Sequence, residues 1–103
     1  MNDIEFEILA YADEVLAEIE RKGRDISYGV LSYYDDHLDE LDVYIACSLD
    51  IAYDTGEPAD QITVELRQQD GTGTELGCVL CFDFERFALA DAIWRIYRFA
   101  DGE

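Results

Sequence analysis

The sequence predicts an α+β fold: a four-stranded antiparallel meander with N- and C-terminal helices packed on one face, in the order α-β-β-β-β-α. Three observations predict it. Apolar residues recur at helical spacing at both ends of the chain, they alternate with period two through its middle, and the segments between are of hairpin length. At 103 residues the chain is read as a single domain, 1–103, and half of it is hydrophobic, enough to build a core.

The N-terminal helix is expected to open at about Ile4, where Asn2 and Glu5 have capping-box spacing. At 100° per residue Ile4, Ile8, Tyr11, Ala12, Val15, Leu16 and Ile19 share one face. Arg21 and Lys22 suit the negative end of the helix dipole, and Gly23 stops the helix.

The first strand is expected over residues 26–34, aromatic and branched residues bounded by Asp25 and Asp35. Residues 41–54 alternate throughout, with Leu41, Val43, Ile45, Cys47, Leu49, Ile51 and Tyr53 inward, and read as one long half-buried strand. A turn at residues 55–58 follows. Ile62, Val64 and Leu66 mark the third strand. Residues 70–73 form a hairpin signal, and Leu76, Cys78, Leu80 and Phe82 are expected to point inward from the fourth strand. Asp83 is expected to cap the last helix, from Phe84 to about Ala100, closed by Gly102. The apolar arc of this helix extends to Phe87 and Trp94, which leaves a homodimer contact open as one use of it. The sheet face away from the helices is expected to carry Asp42, Tyr44, Ser48, Asp50, Asp54, Thr63 and Glu65, with Glu75 a further candidate.

Seven basic residues stand against 25 acidic ones, a formal net charge of -18. Such a chain is repelled by nucleic acid and by anionic membrane surfaces, so neither is an expected direct partner. No apolar run reaches the length of a membrane span and the N-terminus lacks the basic start of a signal peptide, so a soluble, cytoplasmic chain is expected.

Cys78 and Cys81 have C-x-x-C spacing, and Cys47 and His37 complete a possible set of four zinc ligands. Inside a strand, however, an offset of three points the two thiols to opposite faces. Buried free thiols are therefore expected, with no metal and no cofactor. His37 reads as an exposed loop histidine, with no nucleophile tied to it by spacing. A P-loop, a dinucleotide fingerprint, a nucleophile elbow and a calcium loop are absent from the sequence, and the expectation is a protein that is not an enzyme.

The acidic excess is the informative signal. A folded chain of this size exposes on the order of 6,000 Å², so the average is one net charge per roughly 330 Å². A DNA cylinder carries one per roughly 110 Å². Only a face that concentrates acids reaches that density. Asp35, Asp36, Asp39, Glu40 and Asp42 place five carboxylates within eight residues, and Asp50 and Asp54 extend the outward side of the long strand. The run 35–40 reads as a polar loop, where changing Asp35, Asp36 and Asp39 is expected to leave the core intact. One lysine against six arginines also fits a high-salt composition, which three cysteines and nine isoleucines fit less well.

Chain length, the acidic run from Asp35 to Asp42, the acidic strand face and the lack of catalytic motifs together resemble the small acidic inhibitors encoded by phages and mobile elements, such as anti-CRISPR proteins and other nucleic-acid mimics. The resemblance implies occupation of the basic nucleic-acid channel of a host defence complex, in the host cytoplasm. The expected function is an acidic protein-binding inhibitor whose partner is a basic protein, a nucleic-acid-binding complex or a nuclease. Asp35, Asp36, Asp39, Glu40, Asp42, Asp50 and Asp54 stand in for phosphates, and Tyr33, Tyr34 and Tyr44 offer aromatic anchors. The alternative is an immunity or antitoxin-like protein neutralising a basic toxin.

Overall fold

The computed structural model describes residues 3–102, so Asn2 of the expected capping pair lies outside the described residues. Helix α1 spans Asp3–Lys22, strand β1 Tyr28–Tyr33, a short helix α2 Asp36–Glu40, strand β2 Val43–Leu49, β3 Ile62–Gln68, β4 Glu75–Cys81, and helix α3 Arg86–Ala100. The four strands form one antiparallel sheet in the order β1-β2-β3-β4. Helix α1 lies over β1, α3 lies over β2, β3 and β4, and the two helices pack on each other. The architecture is the expected meander with both helices on one face, with α2 added between the first two strands.

Helix α1 buries Ile8, Tyr11, Ala12, Val15 and Ile19, the centre of the face its periodicity defines. The Tyr11 hydroxyl crosses to β1 and donates to the Leu31 carbonyl at 2.8 Å. Gly23 ends the helix at φ 86°, donating to the Ile19 carbonyl at 2.7 Å, a backbone position where glycine avoids the left-handed penalty.

Strand β2 is half the expected length. Val43, Ile45, Cys47 and Leu49 alternate inward as the sequence indicates, but pairing ends with Tyr28 opposite Leu49 on one side and Thr63 opposite Ser48 on the other. No strand is left to hold residues 50–54. The Ser27 hydroxyl takes the Ile51 amide at 2.9 Å, and the chain turns away through a loop pinned where the Ala59 amide donates to the Arg24 carbonyl at 2.8 Å. Tyr53, expected inward, is 91% exposed. At the other end Asp42 sits at φ 57°, inside the turn that closes α2.

Strand β4 has the opposite facing to the one expected. Gly77, Val79 and Cys81 lie on the helix side, opposite Leu66, Val64 and Ile62, while Leu76, Cys78 and Leu80 face outward and are exposed. Both faces of this strand are apolar, so alternation alone leaves its register undetermined; the buried row of β3 fixes it. Gly77 on the inner side leaves room for the Phe99 ring, which a Cβ there would meet at 2.8 Å and push aside. Helix α3 begins later than expected. Glu85, not Asp83, is the N-cap, accepting from the Phe87 and Ala88 amides at 2.9 and 3.0 Å. Arg86 ties α3 to α1 through a two-pronged ion pair with Asp13, at 3.0 and 2.8 Å.

Candidate functional site

The acidic run is not a loop. Asp35 caps α2, its Oδ1 accepting from the Leu38 amide at 2.8 Å, and Leu38 is fully buried beneath the helix. The other oxygen of Asp35 accepts from the Tyr97 hydroxyl at 2.9 Å and has the Tyr33 hydroxyl at 3.2 Å, which also lies 3.0 Å from Glu7. Burial, with the bond to Asp35 next, raises the Tyr97 pKa. Burial, with the bond to Glu7 next, raises that of Tyr33, and both stay protonated donors. Asp35 is therefore a structural acceptor. The expectation that it can be changed without touching the core is corrected: the loop reading overlooked that a carboxylate before a buried leucine is an N-cap.

The remaining acids of the run are displayed by that cap. Asp36, Asp39, Glu40 and Asp42 are exposed around α2 and its closing turn. Asp39 accepts from Gln69 Nε2 at 2.8 Å, and the same amide group donates to the Val43 carbonyl at 2.6 Å, joining the corner to β2. His37 points the other way, Nε2 2.5 Å from Asp101, with its ring 5.6 Å from that of Tyr97.

Asp50 and Asp54 do not join this group. Asp42 precedes β2 and Asp50 follows it, which at about 3.3 Å per residue separates them by roughly 26 Å. Asp54 lies in the turn beyond. The expected row of carboxylates along one strand face is corrected: the strand ends before it reaches them.

The open sheet face carries Tyr44, Ala46 and Ser48 from β2, and Thr63, Glu65 and Arg67 from β3. Of the expected site residues only Tyr44 is on it, stacked on Tyr34 with ring centroids 5.1 Å apart. Tyr33 is turned to the core side against Tyr11, 5.2 Å away, and is not an anchor. The one carboxylate these two strands place on the face, Glu65, is buried and ion-paired with Arg67. Arg67 in turn donates to the Gly73 carbonyl at 2.5 Å. In a chain with 25 acids, the outward side chains of these two strands carry no net charge, and sequence reading missed both the pair and the tyrosine stack. The i, i+2 spacing of Glu65 and Arg67 was the available signal.

Cys47 and Cys81 are buried and Cys78 is exposed, with Cys78 and Cys81 on opposite faces of β4 as the offset of three requires. The expectation that all three thiols are buried is corrected for Cys78. Among the described residues, no three His, Cys, Asp or Glu side chains gather as metal ligands would. None of the described helices is long and apolar enough to cross a membrane. On the helix side, Glu5, Leu9, Phe87, Asp91 and Trp94 line a groove of about 260 Å³ between α1 and α3. Comparison with protein-family models, with curated proteins and with solved structures finds no match to the chain.

Proposed function

We propose that this chain is an acidic protein-binding inhibitor that covers the basic nucleic-acid-binding surface of a partner, in the manner of anti-CRISPR and DNA-mimic proteins. One observation carries the proposal: Asp36, Asp39, Glu40 and Asp42 are exposed together on the short helix that Asp35 caps and on its closing turn. A helix rises about 1.5 Å per residue, so these carboxylates occupy roughly 10 Å of chain, one per roughly 2.5 Å. Duplex DNA carries one phosphate per about 1.7 Å of axis. The corner approaches the charge density of DNA, which the surface average does not.

The supporting chemistry is electrostatic. Carboxylates on a fixed helix pair with Arg and Lys without first losing loop entropy. The net charge of -18 steers a basic partner toward the chain over distances longer than contact. The partner in this reading is a nucleic-acid-binding complex or nuclease of the cytoplasm in which the chain is made.

The test is displacement. A fluorescent DNA duplex is bound to the basic complex that the protein captures from host lysate, and the protein is titrated in. Competitive release of the duplex supports the proposal. Capture of a toxin without any nucleic-acid site favours the immunity-protein alternative, and binding that leaves the duplex in place contradicts the mimic.

A further inference from the structure

Strand β4 ends the sheet, and among the described residues no strand lies beside its outer edge. The amides and carbonyls along such an edge are a template for one more strand. Apolar side chains also collect there on the surface. Leu76, Leu80 and Phe82 are exposed, and so is part of the Phe99 ring that lies over Gly77 from the helix side. Edges of natural sheets are commonly blunted by charge or proline. Residues 76–82 contain neither, although 31% of the chain is charged.

We propose that β4 pairs antiparallel with β4 of a second copy of this chain, about a two-fold axis at Cys78, and joins two sheets into one of eight strands. The residue order favours a copy over any other strand. Cys78 is the middle of the seven-residue strand Glu75–Cys81, and the outward row Leu76, Cys78, Leu80 reads the same in both directions. Antiparallel pairing about Cys78 sets Leu76 against the partner's Leu80 and Cys78 against itself, a self-complementary contact of the kind a two-fold axis requires. Charge favours the same occupant. Two chains of -18 repel each other, so they meet most favourably along a line free of carboxylates, whereas a basic partner finds no acid in residues 76–82 to pair with. An edge of seven residues is about 23 Å long, and the molecule is 22 Å through its shortest dimension. That offers roughly 500 Å² per copy and about 1,000 Å² per dimer, the lower bound of a specific interface, so the association is reversible and depends on concentration. Strand β1, which leads into α2, lies at the opposite edge of the sheet. Both acidic corners therefore stay open in the dimer, and the inference does not depend on the function proposed above.

Sedimentation equilibrium of the full chain, up to about 1 mM protein and at 50 and 200 mM salt, tests the proposal. The expected result is a monomer–dimer equilibrium that strengthens at the higher salt, as screening relieves repulsion. Leu80→Lys makes each copy less negative yet should weaken the dimer at least tenfold, because it places a cation in the apolar row. Cys78→Lys, at an exposed position, should do the same by setting like charges opposite each other, and it keeps the test valid if Leu80→Lys disturbs β4. Disulfide trapping reads the register. Opposed Cα atoms in an antiparallel pair lie about 4.5–5.5 Å apart, within the span of a disulfide, so brief oxidation with copper phenanthroline should join the two Cys78 thiols. Cys78→Ser/Leu80→Cys displays its thiol on the same face but about 13 Å from its copy, and should crosslink at least tenfold more slowly. The corner variant Asp36→Asn/Glu40→Gln/Asp42→Asn should dimerise at least as well as wild type, which separates this outcome from duplex displacement. A monomer at both salt concentrations, a dimer untouched by both lysine variants, or equal crosslinking from positions 78 and 80 overturns the proposal.

Discussion

Tyr97, in the last turns of α3, donates its hydroxyl to Asp35 at 2.9 Å and so fixes the C-terminal helix to the N-cap of α2 across 62 residues of sequence. The bond makes one carboxylate of the acidic run a support for its neighbours. Asp36, Asp39, Glu40 and Asp42 are displayed because Asp35 is not.

Replacing Asp35 by Ala removes the α2 cap and leaves the Tyr97 hydroxyl without its acceptor. An N-cap contributes about 1 kcal/mol and a hydrogen bond to a charged group about 1.5–3 kcal/mol. Because the Tyr97–Asp35 bond is only part-buried and water replaces some of it, the loss is expected to fall below that sum, at about 2 kcal/mol, a fall in melting temperature of roughly 8–16 °C for a domain of this size. Thermal melts of Asp35→Ala and Asp36→Asn side by side check it, the second being expected to melt within a few degrees of wild type or above it, since it relieves repulsion.

The Glu85 cap makes α3 sensitive to acid. Hydrogen bonds from the Phe87 and Ala88 amides hold its carboxyl below the usual glutamate range. The folded pKa lies below the unfolded one, so the cap stabilises above the ordinary glutamate value, and this contribution fades as pH falls through the folded one. Glu85→Ala is accordingly expected to lower stability at pH 7 and to matter much less near pH 2. Urea denaturation of the variant and wild type at the two pH values measures the difference; an equal gap at both assigns the helix end to something other than its carboxylate.

The thiols should separate by reactivity. Burial pushes the Cys47 thiol up to about 12, and burial raises that of Cys81. Cys78 stands exposed on the outer side of β4. A short pulse of iodoacetamide on the native protein at pH 8 is expected to label Cys78 alone, with Cys47 and Cys81 following only in denaturant. Peptide mass spectrometry reads the sites, and early labelling of Cys47 would contradict the packing of β2.

Tyr11→Phe removes the hydroxyl that satisfies the Leu31 carbonyl between α1 and β1. Leaving a part-buried acceptor unpaired costs about 1–3 kcal/mol. Chemical denaturation is expected to show a loss in that range with an unchanged slope against denaturant, since the exposed area on unfolding stays the same.

The first helix and the buried row of β3 were the legible parts of the fold. The face of α1, its stop at Gly23 and the buried row of β3 all follow from periodicity, because one side of each is wet and the other dry. Periodicity misled where that contrast is missing. Residues 50–54 keep the alternation of β2 but have no strand to pair with, and pairing, which a single segment does not encode, decides where a strand ends. Leu76 and Leu80 look like core and are not, since β4 is apolar on both sides and takes its facing from β3. For the site, the run from Asp35 to Asp42 was legible as a concentration of charge. The division of labour within it was not, because it depends on Tyr33 and Tyr97 arriving from distant elements.

The central claim is that the α2 corner occupies a partner's nucleic-acid surface. The most direct measurement is displacement of a labelled DNA duplex from the captured basic complex, at 50 and 200 mM salt, by wild type and by Asp36→Asn/Glu40→Gln/Asp42→Asn. This variant spares Asp35 and Asp39, whose hydrogen bonds hold the corner, and asparagine tolerates the left-handed backbone at 42. The expected result is competitive release by wild type that weakens steeply at the higher salt, and a variant at least tenfold weaker with a shallower salt dependence. A variant that displaces the duplex as well as wild type at both salt concentrations would contradict the claim and move the interface away from the acidic corner.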